Sequence, residues 1–507
     1  MLEIFRLSAI VSSGRASNYS IVMKIAVVAA EITPYAKVGG LADVIGALPG
    51  ALAAAGCEVS VVFPGYKSVL KILSGAFVAD RMSVEIGSRE ERFTVRGAPG
   101  AGGVRYYMIE HPEYFGREGI YGEGGRDYPD NLRRYVFFGR AAAAAIARLI
   151  KPDVVHAHDW HAALVPIVAG ADPELRKSFA RALSIFTIHN LAFQGISEPG
   201  DFALLNLDWS YFSIDCLEFH GNINLMKGAV MLADGASTVS PSYAREITES
   251  AELGFGLEGV LRRKGKRFVG ILNGADYHEW NPEHDEIIAA RYGPSTREGK
   301  RVCTADLRKR LGLPAIEGAP LLGMITRMTP QKGLDLLRDA LDTVMAMDLQ
   351  LVILGSGDPG LESHFREAEA RHAGRLKIVT AFDNALAHRI QAGADIFLMP
   401  SQFEPCGLTQ MYALKYGTAP VVRATGGLRD TITEFDPGSG YGDGFLFEEY
   451  RSVALTAAIK RAVETWRNRE LWGRLMDNCF AADFSWDRAA REYIDWFNHL
   501  RQERGLI

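Results

Sequence analysis

Cysteine is scarce in this chain. Only five of 507 residues are cysteine (Cys57, Cys216, Cys303, Cys406 and Cys479), an odd number, widely scattered. No C-x-x-C pair occurs. That spacing excludes a disulfide framework and a zinc finger, and free thiols in a reducing, cytoplasmic setting are expected. A strong excess of one charge is also missing: 56 Lys and Arg stand against 61 Asp and Glu, a net charge of −5. With no basic stripe, nucleic acid is not expected as a partner. No apolar run reaches about 18 residues, so no transmembrane helix and no membrane partner are expected. No D-x-D pair occurs, so a metal site built on two nearby aspartates is not expected and no metal or other cofactor is assigned. Internal repeats are absent as well.

Apolar residues are plentiful, at 48%. At this length they can fill the cores of two or three domains. Residues 1–22 stand apart. They carry Arg6 and Arg15, several serines and only the short apolar stretch Leu7 to Val11, too little for a signal peptide. They are expected to be a disordered extension, or the product of an upstream start codon with Met23 as the true start.

From Met23 onward, short apolar strands alternate with helical stretches, the pattern of a parallel α/β sheet. A first series of strands is expected at Lys24 to Ala30, Glu58 to Pro64, Val104 to Ile109, Val154 to Ala157, Ser184 to Ile188, Gly235 to Ser240 and Phe268 to Leu272. Asn273-Gly274 then marks a turn. A second series is expected at Leu321 to Ile325, Gln350 to Leu354, Leu376 to Ala381, Ile396 to Met399, Ala419 to Arg423 and Gly444 to Phe447. The division is 23–272 and 273–484: two doubly wound, Rossmann-like domains facing a central cleft. Ligands in such sheets lie beyond the C-terminal ends of the strands. A last helix is expected over Trp486 to Arg504, within residues 485–507, with Ser485 as its cap. Its apolar positions are Ala490, Tyr493, Ile494, Trp496, Phe497 and Leu500.

The strand ends carry the chemistry. Phe403-Glu404-Pro405-Cys406-Gly407-Leu408-Thr409 follows an apolar run. Pro405 suits the first position of a helix, and Gly407 leaves free amides at a helix start, a natural anion site. Glu404 beside such a site has two readings: a ligand for sugar hydroxyls, or an acid favoured by the helix dipole. Cys406, next to the same helix start, is expected to have a lowered thiol pKa. Lys37-Val38-Gly39-Gly40-Leu41-Ala42-Asp43 opens another helix, either as a close backbone approach to an anion or as a glycine turn. In His156-Ala157-His158-Asp159-Trp160-His161, Asp159 at the strand terminus is the functional candidate, and His156 reads as a packed core histidine. His189 and Asn190 end another strand, as hydroxyl ligands or as turn residues. Arg327 and Lys332 share one loop and read as a pyrophosphate clamp or as a solvated basic loop. Gly355-Ser356-Gly357-Asp358-Pro359-Gly360 matches G-x-G-x-x-G, but it follows the second strand of its domain. A dinucleotide fold places that motif after the first.

In order and content these motifs resemble the bacterial glycogen synthases and plant starch synthases, from Met23 to about residue 500. Thr425-Gly426-Gly427-Leu428 falls where that family has it. The resemblance implies a retaining glucosyltransferase of the GT-B fold, with a final helix crossing back to the N-terminal domain. It implies catalytic roles for Glu404, Arg327, Lys332, His189 and Asp159. It implies nucleotide-sugar binding by Lys37, Gly39, Gly40, Asn190, Asn273, Phe382, Cys406, Gly407, Leu408 and Thr409, with Phe382 stacking on the base. The implied partners are ADP-glucose, with UDP-glucose open, and a glycogen-type α-glucan. Many related retaining transferases carry a second glutamate eight positions after the first. Here that position is Tyr412, with Gln410 nearby, as in the synthases themselves. The alternatives are another donor or acceptor, or a non-catalytic glucan-binding relative, which should have lost Glu404, Arg327 or Lys332.

Overall fold

The computed structural model describes residues 22–73 and 76–507. The extension expected over residues 1–22 lies outside them, residue 22 excepted.

The first strand series forms one nine-stranded sheet. Its strands are β1 (Lys24–Val28), β2 (Glu58–Pro64), β3 (Phe77–Ile86), β4 (Arg89–Pro99), β5 (Arg105–Glu110), β6 (Val154–His158), β7 (Leu183–Ile188), β8 (Gly235–Thr238) and β9 (Phe268–Gly270). They lie in the order β9-β8-β7-β6-β1-β2-β5-β4-β3. The central strands are parallel and buried along nearly their whole length, as strands covered on both faces must be. The expectation of a wholly parallel sheet needs correction at one edge. β3 and β4 form an antiparallel hairpin, and β4 pairs antiparallel with β5. Exposed positions alternate with half-buried ones along much of β3, and buried positions alternate with more exposed ones along β4, because one face meets water. A search for continuous apolar runs passes over such strands.

The second series forms a six-stranded, all-parallel sheet. Its strands are β10 (Leu321–Ile325), β11 (Gln350–Leu354), β12 (Leu376–Val379), β13 (Ile396–Met399), β14 (Ala419–Arg423) and β15 (Phe445–Phe447), in the order β12-β11-β10-β13-β14-β15. In each sheet the chain winds outward from a centre in both directions. The reversal falls between β1 and β6 in the first sheet and between β10 and β13 in the second. Crevices open at such reversals. The loops leaving those four strands carry Lys37, Asp159, Arg327 and Glu404.

Each sheet has its own hydrophobic core. The last helix, Trp486–Glu503, belongs to the first core although it follows the second sheet. Trp486, Ala489, Ala490, Tyr493, Trp496, Phe497 and Leu500 are its buried apolar residues. A fully buried side chain the size of Phe497 contributes roughly 1.5–3 kcal/mol. Gly235 on β8 makes room for the helix: a Cβ there would lie 2.6 Å from Leu500 and 2.9 Å from Trp496. The outgoing and returning strands of chain run side by side, with the Ala275 amide donating to the Phe484 carbonyl at 2.6 Å. Ser485 occupies the capping position but makes no side-chain capping bond, contrary to expectation. Its own amide donates instead to Asp483 Oδ1 at 2.8 Å.

A second contact joins the halves next to the cleft. Helix Pro241–Glu249, after β8, packs on helix Gly426–Thr431, after β14. Ser242 donates its amide and hydroxyl to the Asp430 carboxylate at 2.7 and 2.6 Å. Glu246 Oε1 accepts the Gly426 amide at 2.8 Å.

Candidate active site

The loop after β1 leads into helix Gly40–Ala54, as expected, with Gly39 at its capping position. A Cβ on Gly39 or Gly40 would meet nothing within 4 Å. The space before them is open, and packing does not require glycine there. The loop is nonetheless already held. Val38 and Gly39 donate their amides to Glu31 Oε2 at 2.7 and 2.8 Å, and the Tyr121 hydroxyl donates to Glu31 Oε1 at 2.7 Å. Two of the amides expected to meet an anion thus already serve a carboxylate of the chain. Lys37 Nζ donates to Asp43 Oδ1 at 2.6 Å. Burial pushes Asp43 up, against the pull of Lys37.

At the end of β6, Asp159 adopts φ +57°, a left-handed conformation that costs a non-glycine residue about 1 kcal/mol or more. The conformation turns its Oδ1 to accept the His189 amide from the end of β7 at 2.8 Å. Burial raises Asp159 to about 7, against the His189 amide. His189 Nε2 lies 2.9 Å from His158 Nδ1. Burial pulls His189 down to about 3, and His156 likewise, so both rings are neutral at physiological pH. His156 packs in the core as expected, with its Nε2 2.6 Å from Thr187 Oγ1. Asn190 makes the turn reading concrete: its Oδ1 accepts the Ala192 amide at 3.1 Å.

On the opposite side, the loop after β10 projects Arg327 into solvent, and it makes no ion pair among the described residues. Lys332, from the same loop, donates to Glu404 Oε2 at 2.6 Å, and Ser401 Oγ donates to the same oxygen at 3.0 Å. Glu404 is only 6% exposed. The pair fixes the carboxylate while half-neutralising the clamp expected of Arg327 and Lys332. The G-x-G-x-x-G glycines have a packing role. A Cβ on Gly355 would lie 1.7 Å from the Thr326 carbonyl, and one on Gly357 2.4 Å from that of Met328. They let the β11 loop lie against the Arg327 loop.

The helix expected at Pro405 begins at Thr409. Pro405, Cys406 and Gly407 form a loop in which Gly407 takes φ +73°. Three partners replace the helical bonds. Gln410 Nε2 donates to the Cys406 and Gly407 carbonyls, each at 3.1 Å. Ser240 Oγ donates to the Pro405 carbonyl at 2.6 Å. The Gly427 amide donates to the Glu404 carbonyl at 3.0 Å. The expected lowering of the Cys406 thiol is reversed: burial pushes it well up, and the nearby Glu404 adds to this. The helix dipole that would lower it starts too far along the chain, and low dielectric dominates. Leu408 occupies the capping position, and the Thr409 hydroxyl donates to Met399 Sδ at 3.2 Å. Asn273 is buried at the crossing between the sheets, its Oδ1 without a partner among the described residues. Phe382, beyond β12, is 86% exposed, an uncovered ring. Tyr412, at the place of the second glutamate, stacks on Trp280 with ring centroids 4.5 Å apart.

Sequence reasoning overlooked Glu31, Ser401 and Glu246, and gave Gln410 no role. Glu31 carried a usable sign, since it directly ends the apolar run of β1, as Asp159 ends β6. Glu246 carried none, because its partner lies on a distant loop.

The starch synthase catalytic domain family matches residues 24–263, and the glycosyl transferases group 1 family matches residues 308–475. A glycogen synthase from Anaeromyxobacter dehalogenans (strain 2CP-C) is 44% identical over 473 residues, covering 93% of this chain and 98% of the relative. One from Koribacter versatilis (strain Ellin345) is 41% identical over 482 residues, covering 95% and 99%. The chain belongs to the glycogen synthase family. As a member it is a glycosyltransferase with a GT-B fold. The solved catalytic domain of starch synthase IV from Arabidopsis thaliana, bound to ADP and acarbose, superposes with a TM-score of 0.86 at 32% identity, covering 95% of this chain and 99% of that one. Sucrose-phosphate synthase from Thermosynechococcus elongatus shares the fold, with a TM-score of 0.58 at 20% identity and coverage of 95% and 100%.

Proposed function

We propose that this glycosyltransferase moves glucose from ADP-glucose to the 4-hydroxyl at the non-reducing end of a glycogen-type α-1,4-glucan, retaining the anomeric configuration. One observation carries the reading: at the switch point of the second sheet a buried and anchored carboxylate, Glu404, stands with an uncommitted cation, Arg327, while neutral His189 ends a strand of the first sheet. The starch synthase IV structure, with ADP and acarbose bound, supports the choice of nucleotide and acceptor.

On this reading bond cleavage builds negative charge on the departing pyrophosphate. Arg327 meets that charge directly, and Lys332 shifts its bond from Glu404 toward it. Lys37, drawn from Asp43, and the amides of Gly40, Gly407, Leu408 and Thr409 complete the phosphate cradle, with Gly39, its amide held by Glu31, giving the donor a close backbone approach. Cys406 and Asn273 line it. Glu404 then accepts bonds from the sugar hydroxyls. His189 and Asn190 contact the transferred glucose, and Asp159 fixes the His189 backbone. Phe382 offers the base a stacking face, which does not separate adenine from uracil strongly. Retention by two displacements needs a second carboxylate as nucleophile. Asp159 spends Oδ1 on the His189 amide. A same-face displacement, with the departing phosphate taking the acceptor's proton, fits better. The division at 23–272, 273–484 and 485–507, no resident metal and a cytoplasmic setting complete the reading.

The test is incubation with ADP-glucose or UDP-glucose and glycogen, measuring nucleotide release and chain extension. Extension with ADP-glucose supports the proposal. Extension only with UDP-glucose overturns the choice of donor. Glycogen binding with no extension from either donor would sink the enzyme reading in favour of a binding protein.

A further inference from the structure

His158 is fully buried at the end of β6, and the only hydrogen bond of its ring among the described residues joins Nδ1 to His189 Nε2 at 2.9 Å. Its other nitrogen, Nε2, is buried without a partner among the described residues. His189 is half-buried, and its Nδ1 makes no hydrogen bond among the described residues. Burial holds both rings in the neutral form, with the neighbouring imidazoles adding to the effect on His158. Each ring therefore carries one proton, and one ring must donate to the other.

Two arrangements are possible, and they are not equivalent. If His189 donated from Nε2, His158 Nδ1 would accept and its proton would sit on Nε2. That N–H would be buried with no acceptor, a situation native interiors avoid. If His158 donates from Nδ1, its Nε2 keeps only a lone pair, and no donor is stranded. The ring beside it follows the same rule. His156 Nδ1 is likewise without a partner, while its Nε2 lies 2.6 Å from Thr187 Oγ1. A proton on His156 Nε2 is donated to Thr187, whose hydroxyl can pass a bond to Ser237 Oγ at 2.7 Å.

We infer that His158 is a positioning residue: it donates Nδ1–H to His189 Nε2, so that His189 holds its own proton on Nδ1 and offers the cleft an N–H donor. The group it takes is an oxygen lone pair, such as a sugar hydroxyl accepting a bond. The inference also removes a role. With Nε2 accepting and Nδ1 protonated, neutral His189 has no free lone pair and cannot act as general base toward the acceptor hydroxyl. The consequence for turnover rests on the proposed sugar contact of His189, whereas the proton position does not.

The decisive experiment is nitrogen-15 NMR on the full chain labelled at histidine, with His189 assigned from the signals lost in His189→Gln. A pyrrole-type Nδ1 and an imine-type Nε2 are expected at His189. The reverse pattern overturns the inference whether or not the protein is active. Kinetics supply a second arm. His158→Phe, which removes the donor, should lower kcat about 10-fold or more while KM for the nucleotide sugar changes less, the scale on which outer partners of site residues act. His158→Asn, which keeps an amide N–H near the Nδ1 position, should recover most of that loss. A folded His158→Phe protein with wild-type kcat overturns the positioning role. If His158→Phe does not fold, the NMR pattern decides alone. If no donor supports turnover in the wild type, the proposed function fails, and the spectrum still tests the tautomer.

Discussion

The two switch points solve opposite electrostatic problems. Around β1, β6 and β7 the charges are settled inside the loops themselves. Lys37 is paired to Asp43, Glu31 accepts two backbone amides, and burial keeps His156, His158 and His189 neutral. Around β10 and β13 charge is kept in reserve. Arg327 is exposed without a partner among the described residues, and Lys332 is shared with one buried carboxylate. A surface of neutral donors and acceptors suits hydroxyls, and one with a free cation suits a diphosphate. The difference lies less in residue type, since lysine and carboxylate occur on both sides, than in whether each charge has been spent on the fold.

The sharpest way to break this comparison is to remove the charges on the second side. Lys332→Ala should cost roughly 3–4 kcal/mol of transition-state stabilisation, seen mainly in kcat, by analogy with losing one preorganised donor. It should also lower Tm, because Glu404 stays buried without its partner; breaking such a pair costs about 3 kcal/mol. Arg327→Ala should lower kcat comparably and leave Tm near wild type, its charge being unspent. If Lys332→Ala raises KM and leaves kcat alone, Lys332 provides uniform binding only.

On the first side, the expected effect is on stability and its pH dependence. Asp159 is raised in the fold from 3.8 to about 7. A raised carboxylate favours the folded state when protonated. Its contribution is complete below about pH 4 and is lost as pH rises through about 7. Asp159→Asn keeps an acceptor for the His189 amide and cannot ionise. Its Tm relative to wild type should therefore rise between pH 4 and pH 7; a flat difference would show that Asp159 is not perturbed.

Cys406 should resist alkylation in the folded protein, since burial raises its thiol. Cys406→Ser should retain substantial turnover. Rapid modification, or a loss matching that of Glu404→Ala, would contradict this. The smallest effect is expected from chelators: on the proposed reading Arg327 and Lys332 do the electrostatic work a metal would do, and EDTA should leave activity unchanged. A loss that magnesium or manganese restores would overturn that assignment.

The strands β10, β11, β13 and β14 have the bounds expected from the sequence, because short apolar runs set between polar and turn residues mark each of them. The hairpin of β3 and β4 was illegible for the opposite reason. Arg89-Glu90-Glu91-Arg92 reads as surface, and only pairing with β3 makes it a strand. Pro405 misled for a third reason. It is compatible with a helix start, yet bonds from Ser240, Gln410 and Gly427 hold that stretch as a loop.

The sequence alone determined the two strand series and the placement of Asp159, His189, Arg327 and Glu404 at strand ends, because periodicity and turn chemistry act over a few residues. Tertiary structure alone decided which charges are spent. Lys332 and Glu404 meet across 72 residues, His158 and His189 across 31, and Glu246 and Gly426 across 180. Protonation follows from those meetings. The same thiol beside a nominal helix start, or the same carboxylate at a strand end, moves by the dielectric and the partners that distant segments bring to it, and no local pattern encodes these.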